Sequence, residues 1–111
     1  MNIQIFGTAK SADTRKAQRH FKERNIKFQI IDMKEKGMSR GEFDSVSKAV
    51  GGAEAMLDDN ARDKDALALV RYIYDKEDKL YENQQVIKLP VVRNGRQATV
   101  GYLPEVWKDW E

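Results

Sequence analysis

The sequence predicts one α/β domain spanning residues 1–111, organised around a mixed four-stranded sheet. Three observations predict it. The N-terminal stretch reads strand, helix, strand. The C-terminal stretch reads two strands and a helix. Everything between, from about 39 to 83, carries helical periodicity, so a helical block is inserted between two halves of a sheet. A chain of 111 residues that is 41% hydrophobic can bury a core without covalent staples.

The first strand is Asn2 to Phe6, where Ile3 and Ile5 alternate with polar neighbours. A turn follows at Gly7-Thr8-Ala9-Lys10. From Ser11 the period changes to that of a helix, with Ala17, Phe21 and Arg24 in one row and Arg15, Lys16, Arg19, Lys22 and Glu23 mostly outside. Ser11 is a suitable N-cap, and Asp13 suits the positive end of the helix dipole. Asn25 ends the helix, and Lys27 to Asp32 reads as the second strand. A strand–helix–strand unit of this length makes its strands parallel neighbours.

Ser39-Arg40-Gly41-Glu42 has the spacing of a capping box, flanked by Met38 and Phe43 as a hydrophobic staple. Phe43, Val46 and Val50 form the apolar side of that helix, and Gly51-Gly52 stops it. A short turn is expected at Ala53–Leu57. A longer helix is expected from Asp63 to about Leu80, with Leu67, Val70 and Tyr74 in one row and Ala66, Leu69 and Ile73 beside them. Tyr72, Tyr74 and Tyr81 are read as packing residues with wet hydroxyls. Pro90 to Arg93, Asn94-Gly95 and Arg96 to Val100 then predict a hairpin on a type I′ turn. A last helix fits Leu103 to Trp110, with Val106, Trp107 and Trp110 as its apolar side; core packing is expected of at least one of the two tryptophans.

Composition excludes several functions. The sequence has no cysteine, which removes disulfide scaffolds, thiolate-ligated metals and any mechanism that uses the chain's own thiol. One histidine, His20, is too few for most transition-metal sites, so no metal is expected. His20 falls mid-helix and is read as a surface residue. Asp58, Asp59, Asp63 and Asp65 lack calcium-loop spacing and are read as helix N-terminal charges. Gly51-Gly52 is not followed by the Lys-Ser/Thr of a phosphate loop. Twenty basic and eighteen acidic residues leave a net charge of +2 without a basic cluster, so no direct nucleic-acid partner is expected. No apolar run spans a membrane and no signal peptide is seen, so a cytoplasmic monomer is expected.

The order βαβ, helical block, ββα is that of a thioredoxin-like fold, in which a cis-proline preceding the hairpin lies near the start of the first helix. That fold leads to the expectation of a cis Leu89–Pro90 bond. Three stretches strengthen the likeness: Ile5-Phe6-Gly7-Thr8-Ala9-Lys10-Ser11-Ala12-Asp13-Thr14-Arg15-Lys16-Ala17; Ile87-Lys88-Leu89-Pro90-Val91-Val92; and Gly95 with Val100-Gly101-Tyr102-Leu103-Pro104-Glu105. In this order they resemble the arsenate reductase and Spx-regulator family, thioredoxin-like proteins with an inserted helical subdomain.

The resemblance implies a reactive cysteine at the position of Ser11 and, in members with a Cys-x-x-Cys pair, a second at Thr14. It implies oxyanion-holding arginines at the positions of Leu89 and Tyr102. None is present here. A hydroxyl cannot perform thiol–disulfide exchange. The chain is therefore read as a redox-inert binding or regulatory module. The alternative is a thiol oxidoreductase in a Cys-to-Ser form, or one that borrows the thiol of bound glutathione. No cofactor is expected, glutathione apart. The candidate anion- or thiol-binding residues are Lys10, Ser11, Ala12, Asp13, Arg15 and Pro90. The orphan N–H groups at the start of the first helix, beside Lys10 and Arg15, suit glutathione or a small anion as ligand; a protein partner, the C-terminal domain of the RNA polymerase α subunit, is implied by resemblance alone.

Overall fold

The computed structural model describes residues 1–110. Four strands form one sheet in the order β2-β1-β3-β4: β1 Ile3–Gly7, β2 Phe28–Asp32, β3 Val91–Asn94 and β4 Gln97–Val100. β1 runs parallel to β2, with Ile5 opposite Ile30, and antiparallel to β3, with Ile5 opposite Val92. β3 and β4 form the hairpin. This is the mixed, thioredoxin-like sheet that the element order predicts.

Alternation along β1 divides the interior in two. Ile3 and Ile5 join Val92, Ala17, Phe21 and Trp107 on one face of the sheet. Phe6 joins Val91, Ile31 and the helical block on the other, through Phe43, Val46, Met56, Leu67, Val70, Leu80 and Val86. Helix α1, Ala12–Glu23, supplies the first face. Its buried side is Thr14, Ala17, His20 and Phe21; Arg24 instead becomes the C-cap. Asn25 stops the helix with φ of 57°, a conformation asparagine tolerates better than most residues.

Helix α2, Arg40–Val50, starts on a complete capping box, in which the Ser39 Oγ accepts from the Glu42 N–H and Glu42 accepts from the Ser39 N–H. Met38 and Phe43 are both buried. Gly51 closes α2 with φ of 96°. A 3₁₀ turn spans Ala53–Met56.

The expected long helix from Asp63 to about Leu80 is two helices. α3 is Lys64–Tyr72 and α4 is Lys76–Glu82. The break falls on Ile73, whose backbone is extended. Tyr72-Ile73-Tyr74 is an aromatic and β-branched run of modest helix propensity. Lys76 then turns its ammonium back onto the carbonyls of Val70, Arg71 and Ile73, giving the last turn of α3 the donors it lacks. The break removes Tyr74 from the apolar row and leaves Leu69 half-exposed. Tyr72 and Tyr74 are solvent-exposed rather than packed; of the three tyrosines only Tyr81 packs, edge-on to Phe43.

Two further expectations shift at the C-terminal end. The hairpin turn is Gly95-Arg96, not Asn94-Gly95, because Asn94 pairs with Gln97 in the ladder and their side chains are hydrogen-bonded. Only Gly95 has positive φ, which is the pattern of a type II′ turn. The last helix is a single α turn, α5, Pro104–Trp107, continued by a 3₁₀ turn over Lys108–Trp110. Trp107 is buried, Trp110 half-buried, and Val106 partly exposed.

No helix among the described residues is long and apolar enough to cross a membrane.

Candidate functional site

Helix α1 begins where β1 ends. Gly7 closes the strand without needing positive φ; what it provides is room. A Cβ at Gly7 would stand 2.5 Å from the Thr14 Cγ2 and closer still to its Oγ1. The first turn of α1 is thus set directly on the strand end. Gly7→Ala is expected to cost about 1–3 kcal/mol or more, as an overpacked core position. Gly7→Ala/Thr14→Ala should recover part of that loss, since the buried Thr14 Oγ1 makes no hydrogen bond among the described residues. Urea midpoints of the two single variants and the double variant give the coupling. Strict additivity would contradict the contact.

Ser11 sits at the N-cap with φ of −77° and ψ of 116°, and its Oγ accepts the Thr14 N–H at 3.1 Å. The Ser11 N–H is taken up by Thr8 O. The amides of Ala12 and Asp13 have no acceptor among the described residues and remain open to a ligand. Because Ser11 Oγ uses a lone pair for the cap, its own hydrogen is free to be donated.

This helix start lies in a cleft of ≈ 960 Å³, at the upper end of the size range of small-molecule sites. One wall is Thr8 and Lys10–Asp13; Met33 and Lys34 extend it from the end of β2. The rest comes from the loop 58–63 and the segment 84–89. Those two segments are stitched together: Lys88 N–H donates to Met56 O at 2.9 Å, and Asp58 N–H to Val86 O at 2.9 Å. The helical block therefore builds half of the cleft and delivers the chain to the cis Leu89–Pro90 bond.

Of the six candidate residues, Lys10, Ser11, Ala12 and Asp13 line the cleft, and two lie outside its lining. The Arg15 guanidinium reaches back to Ala9 O at 2.6 Å and so orders the turn before the helix. Pro90 is buried, with its carbonyl accepting the Gly101 N–H. The position preceding Pro90, Leu89, is in the lining and brings no charge; Tyr102 packs edge-on to Trp107 instead, with Lys16 Nζ 5.8 Å from its ring centre.

Sequence reading missed Lys34, Arg62 and Lys88, which join Lys10 in the cleft. They come from segments far apart in the chain, and no local spacing announces them. None of these four cations has a carboxylate within 4.0 Å or a side-chain hydrogen bond among the described residues. The three carboxylates of the cleft are engaged locally. Asp13 is 3.9 Å from Lys16, Asp58 accepts from the Asn60 N–H, and Asp63 accepts from the Ala66 N–H and from Gln85. Asp63 thus caps α3 and Asp65 lies in its first turn. Asp58 and Asp59 are not helix-start charges, because the helix begins only at Lys64; Asp59 pairs with Arg71.

The Ala66 N–H, then Gln85, holds the Asp63 carboxyl below the usual aspartate range. A depressed folded value means that this cap stabilises α3 fully above the unfolded value of about 3.9 and is lost as pH falls through the folded one. Hydrogen exchange at the Ala66 amide, followed relative to the Glu42 amide, is expected to quicken selectively below about pH 4. Equal protection of both amides down to pH 2 would refute the cap's role.

His20 is not on the surface. It is 6% exposed, with its ring 4.9 Å from Phe21 and 5.2 Å from Trp107. It belongs to the α1–α5 side of the core, and it is absent from the cleft lining. A Ser11–His20 pair is thereby ruled out in this arrangement. A second hollow of ≈ 390 Å³ beside α2 is closed on itself: Glu77 there binds Ser47 Oγ and the Ala53 N–H, and Arg40 pairs with Asp44 and Asp78. No group of three metal-ligating side chains occurs among the described residues.

No family model and no curated protein matches the chain. Solved structures do. A protein described as related to the ArsC family, from Bacteroides fragilis, superposes with a TM-score of 0.84 at 19% identity, covering 100% of this chain and 98% of its own. An arsenate reductase from Vibrio cholerae gives 0.81 at 22% identity, covering 98% and 97%. The glutaredoxin-like NrdH-redoxin from Escherichia coli gives 0.51 at 16% identity, covering 100% and 96%. At these identities the likeness establishes the fold: a thioredoxin-like sheet with the helical insertion that the first two proteins share over their whole length.

Proposed function

We propose that this chain is a thiol-free member of the arsenate reductase and Spx family that binds an anionic thiol peptide of the glutathione type and carries out no redox step of its own. The observation that carries the reading is the cleft. It joins the open amides of Ala12 and Asp13, the Ser11 hydroxyl and four cations without a carboxylate partner among the described residues, and the chain has no cysteine to place there.

Each part has a chemical role in that reading. The hydroxyl hydrogen of Ser11 can be donated to a sulfur, which favours the thiolate of the ligand over its thiol. The helix dipole acts in the same direction by up to about 1–2 kcal/mol. Reduction of an oxyanion needs two electrons, which this chain has no thiol to supply. Leu89 and Tyr102, where the resemblance places arginines that hold a reacting oxyanion, are neutral here. Binding without reaction suits a regulatory or sequestering module in the cytoplasm, where glutathione is the principal thiol.

The test is an amide NMR titration with reduced glutathione. Shifts are expected at residues 8–13, 33–34, 58–63 and 84–89, with an affinity near millimolar, about −4 kcal/mol. S-methylglutathione, which has no ionisable sulfur, should bind less tightly. The absence of shifts at about 10 mM glutathione, a concentration well above that affinity, would overturn the reading. It would leave Ser11 as a helix cap and a protein partner as the remaining function.

A further inference from the structure

Lys88 occupies a built position. Gly101 has φ of 92°, and an ideal Cβ added to it would come within 3.2 Å of the Lys88 Cε and 3.7 Å of its Nζ. The bare backbone of Gly101, held by its N–H bond to Pro90 O at 2.8 Å, is thus a shelf along which the end of the Lys88 side chain lies. From that shelf Lys88 lines the cleft together with Lys10, Lys34 and Arg62. The four cations arise from four separate segments, which together line a cleft of ≈ 960 Å³, far more room than a compact oxyanion fills. Three carboxylates line the same cleft, but each is held locally, by Lys16, by the Asn60 N–H, or by the Ala66 N–H with Gln85. The three carboxylates keep their charge but are turned to these local donors, and four cations against three carboxylates leave a small net positive charge for a ligand. A compact oxyanion can touch only part of such an arrangement, whereas an extended molecule with a carboxylate at each end can satisfy distant cations together.

We propose that the cleft is a dicarboxylate site and that Lys88, seated against Gly101, is its main specificity-determining residue, with Arg62 contributing from the helical block. The proposal deepens the reading of this cleft as a ligand site, but it depends on the ligand's two carboxylates and not on its thiol.

The experiment titrates the full chain with three probes: glutarate, reduced glutathione and inorganic phosphate. Each is measured on the parent, Lys88→Gln, Lys88→Arg and Arg62→Gln. Lys88 and Arg62 are exposed, so these variants should keep the fold, which amide spectra without ligand verify. Glutarate is expected to bind the parent more tightly than phosphate. Lys88→Gln should weaken glutarate about tenfold, the loss of one charge-assisted contact in a wet cleft, and Arg62→Gln somewhat less. Lys88→Arg should stay within about threefold. Glutarate binding that weakens in Lys88→Gln while glutathione fails to bind would uphold the dicarboxylate site and overturn the thiol-peptide reading. Glutathione binding that is unaffected by Lys88→Gln would do the reverse. Phosphate bound more tightly than glutarate, or no binding of glutarate, would overturn the proposal.

Discussion

Ser11→Cys is expected to convert an inert chain into one with a thiol that ionises well below the ordinary cysteine value of about 8.5. The sulfur would sit at the N-cap of α1, where the Thr14 N–H already points at the side chain and the Ala12 and Asp13 amides are open. Lys10 adds positive charge in the same cleft, and Asp13 partly opposes it. Thiols so placed reach about 3.5–7.5, and the opposing aspartate argues for the upper part of that range. The rate of alkylation by iodoacetamide against pH measures the value directly, and the parent, lacking cysteine, gives zero reaction. A midpoint near 8.5 would mean that the helix start no longer activates a thiol, which would sink the idea of a reductase scaffold that has merely lost its nucleophile. Arsenate reduction should remain poor even in this variant, because Leu89 and Tyr102 still bring no charge.

Trp107→Ala should be the most damaging single truncation. Trp107 is 2% exposed, and its ring packs 5.2 Å from both Phe21 and His20 and 5.6 Å from Tyr102. Its Nε1 donates to Thr99 Oγ1 at 2.7 Å. Removing such a side chain typically costs about 3–5 kcal/mol, and the buried Thr99 hydroxyl would lose its partner as well. Against a total stability of about 5–15 kcal/mol for a typical domain, the variant should stand near the edge of folding. Trp107→Phe keeps most of the packing and removes the donor, so it should cost about 1–3 kcal/mol, the price of an orphaned buried group. Urea midpoints decide. A loss below about 1 kcal/mol for Trp107→Ala would mean that α5 does not close the core.

What the sequence discloses depends on how local the determining interaction is. The α2 capping box is legible because Ser39 and Glu42 satisfy each other's amides three residues apart. The Ser11 cap and the Asn25 stop are legible for the same reason. The sheet order follows from alternation and from the crossover that a strand–helix–strand unit needs. The hairpin turn shifts by one residue because its register is decided by the β3–β4 ladder, including the Asn94–Gln97 pair, and not by the Asn-Gly dipeptide alone. The break between α3 and α4 depends on Lys76, which lies beyond the helix it terminates. His20 looks solvent-facing beside Arg19 and Lys22, but in the fold its ring packs against Phe21 and against Trp107, which comes from the other end of the chain. The cleft is the least legible part. Its helix start is visible in Lys10–Asp13, but Lys34, Arg62 and Lys88 meet it only through the tertiary fold.

β1 is flanked by β2 on one side and β3 on the other, and the β3 partners of Ile3 and Gln4 are Asn94 and Arg93. The central strand therefore completes its pairing only with a segment some ninety residues later, across a loop whose closure costs entropy before any contact compensates for it. During synthesis, the strand–helix–strand unit emerges with one edge of β1 unpaired, and it stays so until the hairpin leaves the ribosome. In that interval the backbone donors and acceptors of β1, together with Ile5 and Phe6, are open to strands of other chains. A nascent chain halted before Val91 is accordingly the form of this protein most prone to aggregate, however sound the finished sheet.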